Sequence, residues 1–144
     1  MNIKTSRFGE IDIDENRIIY FSEGLVGFPD DKKYVVLEHK PGSPFMWLQS
    51  LISPGLAFVI MNPFQVYPEY LKEISPEEEK VLKPGENDNV MIFTIVTIPG
   101  GKAEDSSVNL MAPVVIDPAA NEGKQVILAN SDYNHRHPLN LGKK

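Results

Sequence analysis

The sequence predicts a mainly β protein, a small antiparallel β-barrel-like or sandwich domain with one short helix. Three observations predict it. Short apolar runs rich in Val, Ile and Phe recur along the 144 residues, as strands do. Gly, Pro, Asn and Asp stand between the runs, in "KPGSP", "SPG", "NPF", "KPGEND", "IPGG" and "DPAANEGK". Nothing long has helical periodicity. Many short strands with dense turns are the pattern of a barrel or sandwich.

The elements follow in chain order. A strand from about Ile3 meets a bend at Phe8-Gly9-Glu10. "IDIDENRIIYF" then puts Ile11 and Ile13 on one face and Asp12 and Asp14 on the other. That is the period of a half-buried strand. "FSEGLVGFPDDKKY" holds Gly24, Gly27 and Pro29 among Leu25, Val26 and Phe28. It predicts a turn with glycines at unusual backbone angles and apolar residues capping the barrel. Further strands are expected at Tyr34–Leu37, Phe45–Ile52, Leu56–Met61, Val90–Ile98, Val108–Ile116 and Val126–Ala129. Pro113 inside one of them demotes it to an edge or bulged strand. "FQVYPEYLKEI" fits either a strand or irregular structure. The one helix is expected in "SPEEEKVLKPG", with Ser75 as N-cap, Pro76 at its first position and Glu77, Glu78 and Glu79 at its positive end. Pro84 and Gly85 stop it. One domain over residues 1–139 is expected, followed by a mobile tail at 140–144.

Composition narrows the function. A chain this long buries roughly 70% of its unfolded surface and needs no metal or disulfide to hold a core. Cysteine is absent, which excludes disulfides, thiolate metal sites and cysteine nucleophiles. The opening "MNIKTSRFGEID" has no apolar run of the signal-peptide kind. No stretch approaches the ~18 apolar residues of a membrane span. The net charge of −6 disfavours nucleic-acid backbones and favours basic partners.

Catalytic constellations are missing. There is no Walker loop, dinucleotide fingerprint or nucleophile elbow. "GLVG" has the GxxG outline of a nucleotide clamp, but its middle pair is apolar and its neighbours read as strands. His135 and His137 flank Arg136 at strand spacing and could face one way. A metal or small-ligand site centred on them is the alternative reading, although further ligands would be needed. Phe45, Trp47 and Phe58 lie in nearly uncharged segments that read as core rather than as a nucleic-acid face. Phe64, Tyr67 and Tyr70 sit at spacing three in an acidic region. They either cover one end of the barrel or form a protein-binding patch, rimmed by Glu69, Glu73, Glu77, Glu78 and Glu79.

Four segments taken in order resemble one family: "FSEGLVGFPDDKKYVVL", "PFMWLQSLISPGLAFVIMNPF", "SSVNLMAPVVID" and "GKQVILANSDYNHRHPL". The family is that of the flagellar assembly factor FliW, and the resemblance spans nearly the whole chain. It implies a non-enzymatic bacterial protein of the cytoplasm with a small antiparallel β-barrel-like fold and no cofactor. It implies two protein partners, flagellin and the translational regulator CsrA, with no direct contact to nucleic acid or membrane. In such proteins flagellin occupies the factor until export. The freed factor then binds CsrA, and flagellin translation resumes. The resemblance further suggests that CsrA is inhibited allosterically, so the acidic run need not mimic RNA.

Overall fold

A computed structural model describes residues 1–38, 43–65, 67–71, 90–98, 105–128 and 133–139. Its strands are β1 (Asn2–Thr5), β2 (Gly9–Asp12), β3 (Ile19–Tyr20), β4 (Lys33–Glu38), β5 (Phe45–Ser50) and β6 (Ala57–Met61), then β7 (Met91–Thr97), β8 (Ser107–Val108), β9 (Val114–Asp117), β10 (Glu122–Gln125) and β11 (His137–Pro138). Seven of these close a barrel in the order β3-β4-β5-β6-β7-β9-β10 and back to β3. Every contact around the ring is antiparallel except the closing one, where β10 lies parallel to β3 with Glu122 opposite Tyr20. β8 and β11 continue outward from the far part of β7. β1 and β2 form a separate hairpin.

Alternation fills the barrel. Val36 lies opposite Leu48, Leu48 opposite Phe58, Ile60 opposite Ile95 and Phe93 opposite Val114. These residues form one apolar cluster with Ile19, Phe21, Leu25, Tyr34 and Ile116. Phe21 is fully buried. A side-chain carbon at Gly123 would stand 2.5 Å from its ring, so β10 must carry glycine there.

The wall is also covered outside, which is why its strands read as continuous apolar runs. The hairpin lays Ile3 and Ile13 on Val35 of β4. A second outer cluster joins Met61, Tyr70, Val96, Val108, Leu110, Val115, Val126, Leu128 and Leu139.

The mainly β, barrel-like expectation holds, and several boundaries move. The alternation of "IDIDENRIIYF" ends at Asp12. The Asp14 carboxylate accepts the Asn16 N–H at 2.9 Å and starts a 3-10 turn over Glu15–Arg17. Such local side-chain bonding competes with a strand ladder. The expected strand at Val108–Ile116 is two strands. Between them Asn109 Oδ1 accepts the N–H groups of Met111 and Ala112, and Pro113 precedes β9. The strand expected at Val126–Ala129 lies earlier, at Glu122–Gln125. Val126 and Leu128 instead donate to the carbonyls of Pro113 and Met111, and Ala129 is outside the described residues. Trp47, expected in the core, is half-buried on the outer wall, with Phe8 at 5.8 Å edge-on and the Arg7 guanidinium 4.6 Å above its ring. "FQVYPEYLKEI" gives a 3-10 turn at Pro63–Gln65 and further turns rather than a strand. The helix expected after Ser75, and the tail at 140–144, lie outside the described residues.

Candidate protein-interaction surfaces

The aromatic residues at spacing three do come together. Pro63–Gln65 forms a 3-10 turn after Asn62, whose side chain accepts the Phe64 N–H. The Tyr67 N–H donates to the Pro63 carbonyl and the Tyr70 N–H to the Tyr67 carbonyl. These turns aim all three rings at one point. Tyr70 is the hub, with ring centres 5.8 Å from Phe64, 6.5 Å from Tyr67 and 4.8 Å from Tyr133.

Tyr70 is 2% exposed, and its hydroxyl donates to the Leu110 carbonyl. Burial, with Tyr133 second, pushes its pKa well above the ordinary tyrosine range. Tyr70 therefore belongs to the outer core and holds its neighbours in place. Phe64 is 37% exposed, Tyr67 is half-buried and Glu69 is exposed. Glu73, Glu77, Glu78 and Glu79 lie outside the described residues. Leu71 closes the segment at φ +70, where its N–H donates to the Tyr133 hydroxyl at 2.7 Å.

The histidine pair is split by its surroundings. His135 is exposed, whereas His137 sits in β11 with its ring 5.6 Å from Tyr67, edge-on. Among the described residues no third metal-ligating side chain joins them.

A second surface was missed by sequence reasoning. It lies where β3, β5 and β10 end and β4 and β6 begin. The segment "GLVGF" folds as a tight hairpin. Leu25 and Phe28 face each other, each N–H donating to the other's carbonyl, and Gly24 and Gly27 have φ of +65 and +89. Leu25 points inward and is 3% exposed. Val26 is 63% exposed and Phe28 39%. The expected cap over the barrel is thus Leu25 alone. Leu25 anchors the hairpin inward, Phe28 leans on Phe58 at the rim, and Val26 at the tip is left facing out.

The tip is held firmly. The Val26 N–H donates to Gln125 Oε1 at 2.9 Å, and Gln125 Nε2 donates to the Ala112 carbonyl. Phe28 stands edge-on to Phe58 at 5.5 Å. Beside it, the Asp31 carboxylate accepts the hydroxyls of Ser50 and Ser53. Gln49 Nε2 donates to the carbonyls of Ser50, Pro54 and Leu56, shaping the loop that carries Ile52. Ile52 is 58% exposed, and Ile127, two residues past Gln125, is 49% exposed. Val26, Phe28, Ile52 and Ile127 thus share one end of the barrel. The available signal was the composition of "GLVGF", which is too apolar for a solvated turn.

A groove of about 390 Å³ runs along the closing seam, lined among others by Tyr20, Asp117, Glu122 and Lys124. Its charges are mixed.

Comparison with known proteins agrees across the chain. The model of the FliW protein family matches residues 2–139. The flagellar assembly factor FliW of Natranaerobius thermophilus is 40% identical over 139 residues, covering 96% of this chain and 92% of that protein. That of Magnetococcus marinus is 39% identical over 139 residues, covering 96% and 85%. A crystal structure of the flagellar assembly factor FliW superposes with a TM-score of 0.83 at 34% identity, covering 100% of both chains.

Proposed function

The chain belongs to the FliW family of flagellar assembly factors, and from that premise we propose that it is a non-enzymatic, cytoplasmic regulator with two protein partners. It binds flagellin before export. When free of flagellin it binds the translational regulator CsrA and relieves repression of flagellin messenger RNA. Neither nucleic acid nor membrane is a direct partner in this reading. The observation that carries it is the whole-chain match to the family, in sequence and in barrel topology. Physical features support it. The barrel interior is packed with its own side chains, so function falls to the outer surfaces. A net charge of −6 suits a basic partner such as an RNA-binding regulator, because opposite charge speeds encounter.

Phe64, Tyr67, Glu69, Glu73, Glu77, Glu78 and Glu79 form the proposed acidic-aromatic partner surface, with Tyr70 as its internal support. Titration calorimetry with purified flagellin and with purified CsrA tests the function. Binding to each is expected, and binding of one is expected to weaken the other. Absence of heat with both partners at low salt would refute the proposal. Charge reversal at Glu77, Glu78 and Glu79 is expected to slow CsrA association and flatten its salt dependence. Unchanged association rates would remove those residues from the surface.

A further inference from the structure

We propose that the barrel end carrying Val26, Phe28, Ile52 and Ile127 is the docking site for a short apolar segment of the unassembled filament subunit, a proposal that rests on the flagellin-binding reading above. The surface is built rather than incidental. Gly24 has no room for a side chain, because a carbon there would stand 2.3 Å from the Phe28 carbonyl oxygen. That close approach, the buried Leu25 and the Gln125 bond to the Val26 N–H fix the tip in one shape. A fixed tip displays Val26 at 63% exposure, at the same barrel end as Ile52 at 58% and Ile127 at 49%. Surfaces already shaped for a partner lose little freedom on binding.

Size and charge select the occupant. Stable interfaces between folded chains engage roughly 20–30 residues a side. Four apolar side chains are too few for a second copy of this chain, but enough to anchor a short segment. Two copies would also bring together chains of net charge −6. The charges that neighbour the tip in the chain are of both signs, Glu23, Asp30 and Asp31 against Lys32 and Lys33. Such a rim neither attracts nor repels a highly charged partner strongly, so apolar contact decides. An unassembled filament subunit has that chemistry. The interfaces that a subunit buries on assembly are more apolar than the rest of its surface, and they lie open until then. The acidic-aromatic surface is left for the basic regulator.

The test uses the full chain with Val26→Ser and Ile52→Ser combined, two exposed positions whose change leaves packing intact. Melting temperature is measured alongside as the control on folding. Purified monomeric flagellin is expected to bind about tenfold more weakly or worse, with binding by the parent chain nearly insensitive to salt. CsrA affinity is expected to stay within about twofold. Flagellin affinity retained by the folded variant would overturn the site. Loss of CsrA binding in place of flagellin binding would overturn the occupant. So would a parent chain that sediments as a dimer and a variant that does not. A parent chain that binds neither protein would instead refute the underlying reading, which keeps the two failures apart. Ile127→Ser alone provides a second variant from a separate segment, with weakened flagellin binding again expected.

Discussion

Two buried tyrosines show how one hydroxyl can have opposite consequences. Tyr34 is fully buried in the barrel, and among the described residues its hydroxyl finds no hydrogen-bond partner. Tyr70 is buried on the outer wall, where its hydroxyl donates to the Leu110 carbonyl. A buried polar group without a partner carries a desolvation penalty, while a satisfied one contributes modestly. Tyr34→Phe is therefore expected to be neutral or stabilising, by up to ~1 kcal/mol. Tyr70→Phe is expected to destabilise by about 1–3 kcal/mol, because it also strands the Leu110 carbonyl. Urea denaturation of both variants checks the pair, and equal losses would contradict it. The same burial fixes an alkaline limit. Burial first, and the Asp31 carboxylate second, raise the Tyr34 pKa from 10 to about 12. Between those values the unfolded tyrosine has lost its proton and the folded one keeps it. Stability is thus held below pH 10 and falls as pH rises to about 12, by up to about 1.4 kcal/mol per pH unit for this residue. Tyr70 shifts in the same direction. Tyr34→Phe is expected to make the alkaline decline of the melting temperature shallower. A decline as steep as the parent's would show that Tyr34 is not responsible.

At the scale of elements, the glycine hairpin separates strain from collision. Gly27 has φ +89 with open space around it, so a side chain there meets only an unfavourable backbone angle. Gly27→Ala is expected to destabilise by about 1–2 kcal/mol. Gly27→Val is expected to destabilise more, since β-branched residues tolerate positive φ poorly. Gly24 has φ +65 and also lies against backbone atoms of Phe28 and Pro29. Gly24→Ala is expected to exceed Gly27→Ala clearly, and calorimetric melting of the two ranks them. The reverse order would mean that the loop relaxes around Gly24. Much of this element was legible in the sequence. Gly24 and Gly27, three residues apart between Phe21 and Phe28, announce a turn, and apolar runs bounded by turn residues place β4 to β7 within a residue or two. What was not legible depends on distant partners. Nothing in "EGKQ" suggests a strand, because β10 is placed by its pairing with β9 and β3. Phe64, Tyr67 and Tyr70 are equivalent in spacing. Only the Leu110 carbonyl, forty residues away, decides that Tyr70 turns inward. Val26 reads as a cap until Gln125, 99 residues away, is seen holding the tip outward.

For the whole molecule, the controlling event is closure between two segments about a hundred residues apart. The parallel seam is short. Glu122 is paired with Tyr20, and the Tyr20 N–H donates to the Asn121 carbonyl at 2.8 Å. So little backbone pairing makes side-chain packing across the seam decisive. Phe21 supplies it, edge-on to Tyr34 at 5.3 Å on one side and pressed on Gly123 at the other. Phe21→Ala is expected to destabilise by about 3–5 kcal/mol, as a large cavity at the ring's centre should. Gly123→Ala is expected to destabilise by a different route, since its new carbon would stand 2.5 Å from a ring packed on all sides. The two effects share one volume and should not add. With Phe21→Leu, the smaller side chain leaves room for the methyl group of Gly123→Ala. The double variant is therefore expected to be more stable than the sum of the two single losses implies, by about 0.5–3 kcal/mol. Urea denaturation of the four chains measures that coupling. If the losses simply add, the contact between Phe21 and Gly123 does not govern closure, and the seam must be held by the backbone pairing alone.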